Sequence, residues 1–311
     1  SNSNPIYVEE STSLLNENMG QMITPEFGDL DGDGDMDLLV GDFNGFIQYF
    51  ENTSLGSSLT FSFVENVGNI DLSGNSVPTL GDLDGDGDLD MLIGQLNGSL
   101  VFYENSGNSS DYNFQTEPFD DIQLGSNSAP ELVDMDGDGD LDFVVATFSD
   151  HEAIVYLNAG NGTFTPGTPV ALGGTQVRDM ALADLDGDGD IDVAIAQSGG
   201  NLTSILLNDG TGALTLSSSP NTGNYPEGVA LGDLNGDNIP DLAVANSFGG
   251  SSVTVRFNDG MGGFTGSAAV TMPTGTLSQK VALGDLDGDG DLDIAVTGSN
   301  SSTNPLNIFL N

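Results

Sequence analysis

The chain has no cysteine, no tryptophan, a single histidine, and only three Lys and Arg together in 311 residues. Without cysteine there is neither a disulfide framework nor a thiolate metal site. Three cations against 48 acidic residues leave a formal charge of −45. Nucleic acid binding needs clustered Lys and Arg to neutralise phosphates, so nucleic acid is excluded as a partner. An anionic membrane surface is disfavoured on the same ground. No apolar run approaches the length of a membrane span, Leu38–Val40 and Phe143–Ala146 being examples of those present, so no segment is expected to insert into a membrane. The chain opens Ser-Asn rather than Met, which reads as a mature or excised part of a larger secreted or surface polypeptide. Acidity on this scale suits a salty, calcium-bearing extracellular medium, where screening makes it tolerable.

What the chain has in abundance is aspartate, and it is periodic. The nonapeptide Asp-x-Asp-Gly-Asp-Gly-Asp-x-Asp recurs six times, at residues 29–37, 82–90, 134–142, 184–192, 233–241 and 285–293. The steps are 53, 52, 50, 49 and 52 residues, and a period near fifty marks a repeat architecture. Five copies hold five Asp and the copy at Asp233 holds three, so 28 of the 48 acids lie in these loops.

Around each loop the residues read as strands. In the second unit Val77–Gly81 is extended and runs into the loop. Asp90-Met91-Leu92-Ile93-Gly94 follows, a continuous apolar run expected to be buried on both faces. Leu96-Asn97-Gly98-Ser99 is a turn, Leu100–Tyr103 a third strand ending at Asn105, and Tyr112–Thr116 a fourth. Helical periodicity is absent throughout. Four short antiparallel strands per fifty residues is the content of a propeller blade. The residue before each loop is Gly28, Gly81, Val133, Ala183, Gly232 or Gly284, small in most units, as innermost strands converging on an axis require. Fourth strands are expected around Phe61, Phe114, Phe164, Leu214 and Phe264. Unit six stops at its third strand, Leu306–Leu310, and the segment Pro5–Glu9 (about residues 5–10) is the expected donor of the missing one, closing the ring and covering two edges. The fold class is therefore all-β: a six-bladed β-propeller, four antiparallel strands per blade, residues 1–311 forming one domain.

Within each nonapeptide, positions 1, 3, 5 and 9 offer side-chain oxygens and position 7 a backbone carbonyl. The expected metal ligands are Asp29, Asp31, Asp33, Asp35 and Asp37; Asp82, Asp84, Asp86, Asp88 and Asp90; and Asp134, Asp136, Asp138, Asp140 and Asp142. They continue as Asp184, Asp186, Asp188, Asp190 and Asp192; Asp233, Asn235, Asp237, Ile239 and Asp241; and Asp285, Asp287, Asp289, Asp291 and Asp293. All-oxygen, multi-carboxylate coordination in a flexible loop suits Ca²⁺, about six ions in all, better than Mg²⁺. Gly34 stands where such a loop turns sharply; unit five has Asn238 there, the residue next most tolerant of a left-handed backbone. A helix-loop-helix calcium hand needs Glu at position 12. The chain has Val40, Ile93, Val145, Ile195, Val244 and Val296 there, β-branched in every copy, and the helical alternative fails.

Two stretches, Phe27-Gly28-Asp29-Leu30-Asp31-Gly32-Asp33-Gly34-Asp35 and Asn258-Asp259-Gly260-Met261-Gly262-Gly263-Phe264, resemble the FG-GAP/VCBS repeat family. That family includes the propeller of integrin α-subunits and many secreted bacterial proteins. The resemblance spans essentially the whole chain. It implies that the aspartates named above are calcium ligands in the loop between strands one and two of each blade, and a bacterial, extracellular or cell-surface setting. Integrin propellers have seven blades where six repeats are counted here, and units four to six lack the proline of Ser76-Val77-Pro78 and Ser128-Ala129-Pro130.

The remaining residues offer little catalytic chemistry. His151 sits in a polar turn with Asp150 and Glu152, and carboxylate pairs arise anywhere in so acidic a chain. Asn-x-Ser/Thr triplets, as at Asn52 and Asn161, are expected from its composition. No enzyme is expected. A ligand is expected at the end opposite the loops, at the strand 2–3 turns (Phe43, Phe148, His151, Phe248) and the strand 4–1 turns (Gln176, Arg178, Tyr225, Glu227, Lys280). The leading reading is a calcium-stabilised adhesion or ligand-binding module for a glycan or protein surface. The alternatives are a purely structural module of a larger adhesin, matrix or appendage and, behind it, a polysaccharide-acting enzyme.

Overall fold

In the computed structural model, the residues described are 24–54, 60–67, 72, 74, 76–107, 112–116, 122, 124, 129–249, 251–264, 270–274, 277–299 and 306–311. Each repeat forms its own antiparallel sheet. The first is β1 (Thr24–Gly28), β2 (Asp37–Gly41), β3 (Ile47–Asn52) and β4 (Phe61–Asn66); the second is β5 (Val77–Gly81), β6 (Asp90–Gly94), β7 (Leu100–Asn105) and β8 (Phe114–Thr116). The third runs β9 (Pro130–Val133), β10 (Asp142–Ala146), β11 (Glu152–Asn158) and β12 (Phe164–Pro166), with β13 (Val170–Ala171) also on β11. The fourth is β14 (Thr175–Ala183), β15 (Asp192–Gly199), β16 (Leu202–Asn208) and β17 (Leu214–Ser218). The fifth is β18 (Pro226–Gly232), β19 (Asp241–Asn246), β20 (Ser252–Arg256) and β21 (Val270–Pro273), and the sixth β22 (Leu277–Gly284), β23 (Asp293–Ser299) and β24 (Leu306–Phe309). These sheets are the blades of a six-bladed β-propeller. Among the described residues there is no helix, and so none long and apolar enough to cross a membrane.

Contacts group the chain into two compact units, one with blades one and two and most of blade three, the other with His151–Ala153 and Thr168–Asn311. In each, the second strands form the centre of the core. Every residue of β2, β6 and β10 is buried, as a strand covered on both faces by neighbouring blades must be. Val40, Ile93, Val145, Ile195, Val244 and Val296, the position-12 residues, are all at most 1% exposed. In the first unit Leu83, Leu92, Phe102 and Phe143 share one cluster; in the second Leu185, Ala194, Val244 and Phe264 share another.

The small residue before the loop has a specific packing partner. A Cβ on Gly28 would stand 2.7 Å from Leu80 Cδ1 and 2.8 Å from Leu89 Cδ1. On Gly81 it would meet Leu141 and Leu132, and on Gly232 Leu292 and Leu283, at 2.7–2.9 Å. In each case the partners are a leucine of the next blade's first strand and the leucine at position 8 of the next blade's loop. Gly284 differs, with Leu286 Cδ2 nearest at 3.9 Å.

Three expectations need correction or completion. Phe264 is not in an outer strand: it is fully buried in the core, and the outer strand of blade five is β21, which pairs Val270 with Val255. Phe264 is drawn inward by the apolar cluster around Leu185 and Val244. Blade three has five short strands rather than four, because Pro166 and Pro169 lack the amide needed for a continuous outer strand, leaving two pieces on β11. Blade six shows three strands, and the expected closing strand at residues 5–10 lies outside the described residues.

Candidate metal centre

Each nonapeptide connects the first and second strands of its blade and is wrapped by its own carboxylates. In loop one, Asp29 Oδ1 accepts the Gly32 amide at 2.8 Å and Oδ2 the Gly34 amide at 3.0 Å. Asp31 Oδ1 accepts the Asp33 amide at 3.1 Å, and Asp33 Oδ1 that of Asp35 at 2.9 Å. Short Asp side chains that reach a backbone amide two residues on make a chain of Asx-type turns, the reason Asp rather than Glu fills these positions. Gly32 and Gly34 have φ of 71° and 94°, a left-handed region costly for a residue with a Cβ. At the sixth position of loop five, Asn238 has φ 66°, as its side chain permits.

Position 9 anchors the loop. Asp37, Asp90, Asp142, Asp192, Asp241 and Asp293 are at most 1% exposed. The Oδ2 atom of each accepts the position-2 amide, and Oδ1 accepts the amide of an asparagine that ends the third strand or stands just after it. For Asp142 these are Met135 N at 2.8 Å and Asn158 N at 2.7 Å; for Asp192, Leu185 N at 2.7 Å and Asn208 N at 2.8 Å. In blade one Tyr49 adds its hydroxyl to Asp37 Oδ2 at 3.0 Å. Burial pushes the Asp90 carboxyl up to about 7 and Asp192 up to about 6, against the two amides that lower each. Asp142 and Asp241 are raised for the same reason.

Carboxylates therefore crowd one another. Ligand oxygens of Asp29, Asp31 and Asp33, of Asp82, Asp84 and Asp86, and of Asp285, Asp287 and Asp289 lie within 4.8 Å of one another. So do those of Asp134, Asp136 and Asp142, and of Asp184, Asp186 and Asp192. Burial first, then neighbouring aspartate charges, raise Asp31, Asp84, Asp136, Asp186 and Asp287. Asp88 is 5% exposed with Oδ1 unpartnered among the described residues, and burial with the adjacent Asp86 pushes it up to about 6. Residues 1–177 contain no Lys or Arg, so no side chain there balances these charges. Such a donor set fits a hard divalent cation: oxygen only, several carboxylates, no internal counter-ion.

Loop five departs from the rest. Asp233 Oδ1 accepts amides from Asn235, Gly236 and Asp237, and Oδ2 accepts Asn238 N at 2.7 Å. Burial is the largest single influence and raises Asp233, but the four amides together outweigh it and hold the carboxyl below the usual carboxylate range. No trio of converging acids forms in this loop among the described residues.

The third-strand asparagines were not singled out as functional by sequence, although one stands in every unit. Asn158 Nδ2 donates to Leu83 O in the preceding blade's loop at 2.8 Å and to Leu141 O in its own at 3.0 Å. Asn258 repeats this with Leu185 O and Pro240 O, at 2.8 and 3.1 Å. His151 closes the β10–β11 turn: its carbonyl accepts Leu172 N at 2.8 Å, and its Nδ1 is buried without a hydrogen-bond partner among the described residues.

Five overlapping segments, 29–93, 82–145, 134–195, 184–244 and 233–296, match the FG-GAP-like repeat. No curated protein has a sequence matching this chain. Among solved structures, a triple arginine-to-alanine variant of AofleA from Arthrobotrys oligospora is similar at 11% identity, over 93% of this chain and 82% of that one, with a TM-score of 0.57. A functionally unknown protein from Desulfotomaculum acetoxidans is similar at 15% identity, over 88% and 78%, with a TM-score of 0.55. A chain of the Photorhabdus luminescens Tc holotoxin pore matches at 20% identity over 94% of this chain, with a TM-score of 0.48, and this chain spans only 14% of its length. At such identities the first two likenesses bear on fold alone.

Proposed function

The chain belongs to the FG-GAP-like repeat family, and we propose that it is an extracellular, calcium-stabilised propeller module that binds a glycan or protein surface and catalyses no reaction. The observation that supports this best is the recurrence of the same loop in all six blades, with converging carboxylates in five of them and no Lys or Arg in the first three blades to balance them. Calcium would be held by the carboxylates at positions 1, 3, 5 and 9 and the carbonyl at position 7, with Asn235 and the carbonyl of Ile239 serving in loop five. Its contribution is charge neutralisation and cross-linking of the loop. The position-9 carboxylates keep capacity for it: each oxygen has two lone pairs and one amide occupies only one of them, except at Asp37, where Oδ2 also accepts the Tyr49 hydroxyl and the capacity lies on Oδ1.

The protein's own residues do the rest. Asx turns pre-form the loop, the buried position-9 carboxylate ties it to the third strand, and the amides of Asn158, Asn258 and Asn311 tie loops two, four and five to the next blade. Six identical positions inside the scaffold suit permanent staples rather than a signalling switch. A glycan array with and without calcium tests the module: calcium-dependent binding of specific glycans supports it, and uniform silence favours a structural part of a larger adhesin or matrix. Activity on polysaccharides abolished by His151→Ala would instead favour an enzyme.

A further inference from the structure

At the end of the sheets away from the loops, blades four to six differ from blades one to three. Their first strands have nine, seven and eight residues against five, five and four. Each carries a register break six residues before its loop: between Val177 and Asp179, Pro226 and Gly228, and Ser278 and Lys280. β1, β5 and β9 pair without a break. A bulge re-aims a side chain and increases local twist, and here the extra residues are Arg178, Glu227 and Gln279.

The bulged residues meet. Arg178 Nε donates to Ser198 Oγ at 2.9 Å and lies 3.7 Å from Glu227 Oε1. Lys280 pairs with Asp179, whose second oxygen accepts Val229 N at 2.9 Å. Gly228 lets the strands approach: a Cβ there would stand 2.6 Å from Gln279 O. Beside the ion pairs, the Arg178 guanidinium lies 5.7 Å from the Tyr225 ring centroid, and the Tyr225 and Phe248 rings are 5.9 Å apart at 42°. Tyr225 has φ 61°, a conformation that a bulky side chain adopts only under constraint. Tyr225 and Phe248 are 37% and 68% exposed, the exposed aromatics of the described part of these three blades. Two of the chain's three cations and both exposed rings thus share one patch.

We propose that this patch binds neutral oligosaccharides, an assignment that rests on the ligand-binding reading above and names its ligand class. Arg178 and Lys280 are balanced by Glu227 and Asp179, so the patch is locally neutral on a strongly acidic protein. An anionic polymer meets both those carboxylates and the field of the whole chain, and a cation finds the carboxylates already paired. Hydroxyl groups both donate and accept, which suits paired guanidinium, ammonium and carboxylate groups. The tilted ring pair offers apolar faces to the C–H side of a pyranose, the combination of aromatic wall and few fixed polar groups found in small-ligand sites.

The test is an array of neutral gluco-, manno- and galacto-oligosaccharides, with uronate-bearing ones alongside, probed with the full chain in calcium. The variants are Phe248→Ser, Tyr225→Asn (Asn keeps the left-handed turn while removing the ring) and Phe46→Ser, an exposed aromatic of blade one, as the control. The expected result is binding to neutral glycans that weakens at least tenfold in the first two variants, with unchanged melting curves, and is retained by the control. Binding unaffected by either ring variant overturns the site while leaving the module reading intact. Silence across the array, or binding confined to uronates, overturns the ligand class. Phe248-dependent binding of polylysine without any glycan binding overturns it in favour of a protein ligand.

Discussion

Asn158 donates through Nδ2 to the carbonyl of Leu83, 75 residues earlier in the sequence, at 2.8 Å. Leu83 is the second residue of the preceding blade's loop, so one side chain fastens two neighbouring loops. Its backbone amide meanwhile holds Asp142 Oδ1 at 2.7 Å. Replacing Asn158 with Ala takes this donor from Leu141 O and leaves Leu83 O with the Gly162 amide at 2.8 Å, and each hydrogen bond lost costs about 0.5–1.5 kcal/mol. Urea unfolding of Asn158→Ala in calcium is expected to show that loss. Asn258→Ala, which removes the same pair of bonds, is expected to match it. A variant as stable as the parent would mean that water or relaxation replaces the clip.

The glycine before the loop gives a graded test of blade packing. Gly81→Ala places a Cβ 2.7 Å from Leu141 Cδ1 and 2.9 Å from Leu132 Cδ1, and overpacking of this kind costs about 1–3 kcal/mol. Gly284→Ala meets nothing closer than 3.9 Å, so it is expected to be neutral or slightly stabilising through loss of unfolded-chain entropy. Chemical denaturation of both variants reads the difference; equal effects would contradict the assigned contacts.

Loop five is expected to release its cation first as calcium is withdrawn. It has three carboxylates at the ligand positions where the others have four, and affinity rises with ligand charge. The structure adds a second reason: four amides already satisfy Asp233, so this loop gains less from metal. Hydrogen exchange during a calcium titration should show residues 233–246 losing protection before the other blades. Asn235→Asp should delay that loss. Simultaneous loss across blades would refute the ranking.

The metal-free protein is expected to lose stability as pH rises. Asp90 and Asp192 are held near 7 and 6 in the folded chain, above the value of about 3.9 of an unfolded Asp. Between those values the folded state binds more protons than the unfolded state, so stability falls as pH increases through that window. Melting temperatures in chelator should decline from pH 5 to pH 8, and calcium should flatten the profile. A rising profile in chelator would contradict the burial of these carboxylates.

The repeat period and the short continuous apolar runs made the blades legible in the sequence, because each blade's second strand is buried on both faces. Asp and Gly spacing likewise exposed the loops, since those residue types are needed by the turns themselves. Phe264 escaped because an aromatic after a Gly-rich turn resembles a strand start, while its burial depends on Leu185 in another blade. The role of Asn158 escaped for the same reason: its partner is 75 residues away. The bulges at Arg178, Glu227 and Gln279 leave no local mark beyond the longer run before the loop, because register is a property of two strands together.

The central claim is that cations in the loops hold the fold together. Without them three carboxylates stand within 4.8 Å in five loops, and removal costs both ligation and repulsion. At millimolar calcium and affinities typical of extracellular modules, each site adds roughly 1.5–3 kcal/mol by mass action. Six such sites together exceed the net stability of many domains, about 5–15 kcal/mol. Thermal unfolding of the full chain in excess calcium and in excess chelator tests this directly. The account requires melting temperatures tens of degrees apart, with calcium the higher; superimposable curves would contradict it.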